Sequence, residues 1–69
     1  MTIYDNAEFW TEDRCICQRR AFLNVLLNLD KFPQANEAAM WRQVEEIEEH
    51  MLANFATVRV LHELTSAAA

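Results

Sequence analysis

The densest run of groups able to do chemistry is Glu45-Glu46-Ile47-Glu48-Glu49-His50. A di-iron carboxylate bundle takes Glu-x-x-His from one helix, with both ligands pointing inward. Here the residue three before His50 is Ile47, an apolar residue on the face that must be buried. Glu46 and His50 share a face, but a single pair is not a site, so the run is expected to be a solvated acidic face. His62-Glu63 lacks the second histidine of His-Glu-x-x-His. Cys15-x-Cys17 lacks the two-residue spacer of redox and zinc pairs, and there is no second pair to close a tetrahedral site. These cysteines are too close to bridge each other, and they read as reduced thiols, Cys15 in the core and Cys17 half-exposed. No glycine is present to build a phosphate-cradling loop, and a narrow helical bundle leaves little pocket volume. The expectation is no catalytic residue, no cofactor and no metal: not an enzyme.

The remaining chemistry is that of contact. Arg14, Arg19 and Arg20 form the one cationic cluster. They either pair with the acidic half of a neighbouring helix or meet a partner directly, by a bidentate contact to a carboxylate or by stacking on an aromatic ring. Tyr4, Phe9, Trp10 and Trp41 lie at or beside the edges of the apolar stripes. Phe9 and Trp10 are about 100° apart on a helix, so at least one of the two rings is partly exposed. Trp, Tyr and Arg dominate many binding interfaces. The partner-binding candidates are therefore Tyr4, Phe9, Trp10, Arg14, Arg19, Arg20, Trp41, Glu45 and Glu48. The other reading of the rings is that they cap the ends of a core.

The elements that position these groups follow from the apolar run Ala21-Phe22-Leu23-Asn24-Val25-Leu26-Leu27-Asn28-Leu29. Asp5-Asn6-Ala7-Glu8 has capping-box spacing, with Tyr4 and Phe9 placed as a hydrophobic staple. Helix 1 is thus predicted over about residues 6–30. Pro33 disfavours helix at Phe32 and suits the first position of a new helix, so helix 2 is predicted over about 33–64, with 65–69 as a tail. A connection this short makes the helices antiparallel neighbours. Core and dimer candidates are Ile16, Phe22, Leu23 and Leu26 on helix 1, with Met40, Val44, Ile47, Met51, Phe55, Val58 and Leu61 on helix 2. Asn24 and Asn28 mark a polar strip that either faces water or fixes register across a seam. Helix 2 should overhang helix 1 at its C-terminal end, where Phe55, Val58, Val60, Leu61 and Leu64 sit.

Composition agrees with a single domain spanning residues 1–69. The chain has 52% hydrophobic residues, no glycine and one proline. Tight β-turns want glycine, so the fold class is all-α: an antiparallel two-helix hairpin. A lone hairpin leaves one side of each apolar stripe wet, and pairing two hairpins into a four-helix bundle removes that surface, which predicts a homodimer. Six Lys and Arg against eleven Asp and Glu give a net charge of -5. That balance opposes nucleic acid, whose binding rests on neutralising phosphates, and equally an anionic membrane. No apolar run reaches the ~20 residues of a membrane span and no secretory signal is visible, so the expected location is cytoplasmic.

The reading that follows is a small acidic protein-binding module, an inhibitor that occludes a larger host protein. The natural target of an acidic surface is a basic one, such as the DNA-binding face of a transcription regulator. In size and helical character the whole chain resembles small proteins that bacteriophages make early in infection to disable host factors. It is similar to phage anti-activators of a quorum-sensing regulator of the LuxR type. In architecture, a small hairpin dimer with arginines on helix 1 also resembles the plasmid RNA-binding protein Rop. That resemblance implies a regulatory RNA contact through Arg14, Arg19 and Arg20. A purely structural bundle is the third alternative.

Overall fold

Thr11, rather than the Asp5-to-Glu8 segment, opens the first long helix. Its hydroxyl accepts from the Arg14 backbone N–H at 3.4 Å, and its carbonyl accepts from Cys15 at 2.9 Å. Helix α1 then runs Glu12–Leu27, with Glu12 and Asp13 in a first turn whose dipole favours negative charge. The computed structural model describes residues 4, 6 and 8–65, so Asp5 of the expected capping box and the tail at 66–69 lie outside the described residues. Among the described residues every regular element is helical.

The helix predicted from residue 6 is replaced there by a turn of its own. Asn6 Oδ1 accepts from the backbone N–H groups of Glu8 and Phe9, and the Asn6 carbonyl accepts from Trp10. This turn is separate from α1, so the chain can bend at Trp10-Thr11 and lay Tyr4 and Trp10 over the helices. After α1 a 3-10 turn covers Leu29–Lys31. Helix α2 runs Glu37–Asn54 and starts later than Pro33 predicts, because Asn36 caps it: its side chain accepts from Ala39 at 3.0 Å.

The single long second helix is the largest correction. It ends at Asn54 and restarts as α3, Val58–Thr65, giving three α-helices among the described residues instead of two. Phe55 donates to the Met51 carbonyl to close α2, and the Asn54 side chain donates to the His50 carbonyl. Thr57 caps the next helix, its hydroxyl accepting from the Val60 N–H at 3.2 Å. Nothing overhangs. Thr57 reaches Glu12 at one end of α3 and Glu63 reaches Arg19 and Arg20 at the other, so α3 folds back to lie parallel to α1.

The core has two parts. Leu23, Leu26 and Val44, flanked by Phe22 and Met40, fill the space between α1 and α2 near their connection. Tyr4, Cys15, Ile16, Ile47, Met51 and Val60 form a second cluster at the other end, flanked by Trp10, Phe22, Phe55 and Leu64. A fully buried side chain of this kind contributes about 1.5–3 kcal/mol relative to exposure. The expected core positions Ile16, Leu23, Leu26, Val44, Ile47 and Met51 are buried, whereas Val58 and Leu61 are not: they are 84% and 47% exposed. Turning α3 back presents Val60 and Leu64 to the core, and puts Val58 and Leu61 outside.

Candidate protein-binding surface

The nine expected contact residues separate into three groups. The first is aromatic. Tyr4 and Trp10 meet edge to face at 4.7 Å, Trp10 and Phe9 at 5.2 Å, and the Arg14 guanidinium lies 4.6 Å from the centre of the Phe9 ring. Tyr4 is a correction: it is fully buried, and its hydroxyl donates to Gln43 Oε1 at 2.8 Å. Burial raises the Tyr4 phenol's pKa, and nearby Glu46 and Cys15 push the same way. Trp10 is half-buried, and its carbonyl accepts from the Cys15 thiol at 3.6 Å and lies 3.2 Å from His50 Nε2. Phe9 and Arg14 stay exposed, and with Trp10, Cys17 and Gln18 they line an open cleft of about 330 Å³.

The second group is ionic and faces inward. Arg19, expected at a surface, is 6% exposed. Its Nε donates to Glu48 at 2.9 Å, and its Nη1 donates to the Glu63 backbone carbonyl at 3.2 Å. Glu63 lies in the last turn of α3, where carbonyls lack helical partners and the dipole favours a cation. One arginine therefore joins all three helices. Arg20 grips the Glu63 carboxylate with two parallel bonds of 2.8 and 2.6 Å. That fork holds the Glu63 carboxyl below the usual carboxylate range against the opposing effect of burial, and raises Arg20 in turn. Arg59 pairs with Asp13 at 2.5 Å and approaches Glu12 at 3.8 Å. Of the two readings of Arg19 and Arg20, interhelical pairing is what the structure holds. Their partners are Glu48 and Glu63, not the residues near Val44 that a plain hairpin places opposite them.

The third group lies along α2. Trp41, Glu45, Glu48 and Leu52 follow four- and three-residue steps along one side of α2, so they form one stripe. Trp41, Glu45 and Leu52 are exposed, and Glu48 is drawn partly inward by Arg19. Glu37 and Glu49 are also exposed, and neither they nor Glu45 forms an ion pair with a described residue. Near the connection between α1 and α2, Leu27 is 63% exposed and Phe32 is exposed as well. Val25, Lys31, Phe32, Pro33 and Met40 are among the residues that line a second cleft of about 470 Å³.

Sequence reasoning missed Glu63 and Thr57, because a straight second helix carries both away from α1. His50 was read as solvated and is buried, held between Trp10 and Asn54. Cys15 is buried as expected, and Cys17 is exposed rather than half-exposed. Asn28 donates to the Asn24 carbonyl, so this strip makes local bonds on the α1 surface. Among the described residues no three His, Cys, Asp or Glu gather as metal ligands, and no helix is long and apolar enough to cross a membrane. No protein family, curated protein or solved structure matches this chain.

Proposed function

We propose that the chain is a non-enzymatic protein-binding module. It inhibits a larger regulatory protein by laying the Trp41–Glu45–Leu52 side of α2 on a basic surface, such as the DNA-binding face of a transcription regulator. One observation carries the reading. The internal ion pairs take up Arg19, Arg20 and Arg59, and leave Glu37, Glu45 and Glu49 of α2 without an ion pair to a described residue, on a helix with an exposed tryptophan. An aromatic anchor with an acidic surround suits a basic patch: Trp41 supplies buried area in the contact, and the acids steer and hold register. Residues that normally hold phosphate would be occupied by carboxylates. The homodimeric bundle expected from the sequence belongs to the same reading, as a way of presenting two such stripes. The RNA-binding alternative loses its main support, since Arg19 and Arg20 are both engaged by glutamates.

The test is capture from a bacterial lysate with three baits: the native chain, Glu45→Lys/Glu49→Lys, and Arg14→Glu. The expected result is a DNA-binding protein retained by the native chain and by Arg14→Glu but lost with the double substitution. Operator binding by that protein should fall when the native chain is added. Retention unaffected by the α2 substitutions, or recovery of nuclease-sensitive RNA, would sink the reading.

A further inference from the structure

Residues 58–64 carry two apolar faces, and the folded-back helix uses one of them. Val60 is fully buried and Leu64 packs beside it, while Val58 and Leu61 look outward. The outward pair continues a pattern laid down in α2. Val44, Met51 and Val58 are seven residues apart, and so are Met40, Ile47, Asn54 and Leu61. These are the two seam positions of a heptad repeat, which align only if α2 and α3 form one straight helix. The break between them holds neither glycine nor proline, and its residues, Phe55-Ala56-Thr57, can all be helical. Among the described residues no φ is positive, so straightening the break needs only a move between ordinary backbone regions.

We propose that residues 55–57 are a hinge and that the surface left by α3 is filled by α3 of a second copy. In the exchanged dimer each α2 and α3 form one continuous helix. Each α3 then makes on its partner's α1 the contacts it makes here on its own. Glu63 of one copy meets Arg19 and Arg20 of the other, Arg59 meets Glu12 and Asp13, and Val60 and Leu64 enter the other copy's core. Every α1–α3 ion pair is thereby kept, which is the charge complementarity that selects a second copy as occupant. The gain is at the hinge, where Val58 and Leu61 leave water for a seam against their counterparts. This rests on the self-association named above and says how it is built; the partner bound by α2 does not enter into it.

Val58→Pro separates the two forms. Position 58 is the first residue of α3, where proline is well tolerated, but in a continuous helix it is interior and breaks the ladder. The native chain should dimerise by light scattering. Val58→Pro should keep its helix content by circular dichroism and raise the dimer dissociation constant about 100-fold or more. A second experiment mixes Arg20→Glu chains with Glu63→Arg chains. Each alone repels within one chain and in its own dimer, and exchange restores opposite charges at both contacts of the mixed pair. Mixing should therefore yield a heterodimer in excess over either homodimer. A native chain that stays monomeric at all concentrations overturns self-association and the exchange with it. A dimer that survives Val58→Pro unchanged, with no preferred mixed pair, overturns the exchange alone.

Discussion

The two ends of the α1–α2 pair are built differently from much the same residue types. At the end holding Cys15, Ile16, Ile47 and Met51, a third helix and the Tyr4–Trp10 turn close the core, and these four residues are almost wholly shielded. At the connected end, two helices alone enclose Leu23, Leu26 and Val44, and Leu27, Phe32 and Trp41 lie open around them. Ion pairs repeat the contrast. Arg20 and Arg59 with their carboxylates join α1 to α3, and Arg19 adds Glu48 of α2 to the same network. Two helices cannot cover an apolar circumference, and a third layer makes the difference. The closed end holds the fold together, and the open end is available for contact.

The sharpest way to break this comparison is a matched pair of truncations. Ile47→Ala should cost about 4 kcal/mol and Leu26→Ala about 2 kcal/mol in urea unfolding, because the enclosed site cannot collapse onto its cavity. Equal losses would mean that the third layer adds no packing. Next in size is Arg19→Met, expected to cost about 1.5–3 kcal/mol through the lost charged hydrogen bonds to Glu48 and Glu63. Amide exchange should show the loss concentrated in α3.

Acid sharpens the same contrast. Arg20 keeps Glu63 ionised in the folded chain to a lower pH than in the unfolded one. Its stabilisation is therefore complete above the ordinary glutamate value of about 4.3 and is lost as pH falls through the lowered folded value. Helicity of native α3 should decline through that window, and Glu63→Gln should flatten the slope. At the open end Trp41→Ala should shift stability by no more than about 0.5 kcal/mol while weakening capture of the partner. The gentlest probe is thiol labelling. Cys17 should react at once, and Cys15, buried and with its thiol pKa raised by desolvation, only as the closed end opens.

Much of this was legible in the residues. The absence of glycine and the three- and four-residue apolar steps gave the helical class, the α1–α2 pairing and six of the buried positions. The helix ends were not read well, because three polar caps went unweighed: Thr11, Asn36 and Thr57 each offer a side-chain oxygen to a helix start. Proline and a capping box are louder signals and drew the boundaries away from them. The break after Asn54 was hidden for a different reason. An unbroken heptad runs across it, and periodicity reports which helix is possible, not which contacts compete with it. The acidic stripe with Trp41 was visible, but the internal use of Arg19 and Arg20 depends on Glu63, which only the fold brings near.

The placement of the two tryptophans also gives the molecule an optical address for each end. Trp10 is half-buried with Tyr4 against its ring, so its emission should lie toward the blue and collect energy from the phenol. Trp41, 46% exposed at the other end, should emit further to the red and be open to quenching by iodide. A single spectrum thus contains two local gauges. Loosening of the closed end will be seen as a red shift of one component, and arrival of a partner as a blue shift of the other.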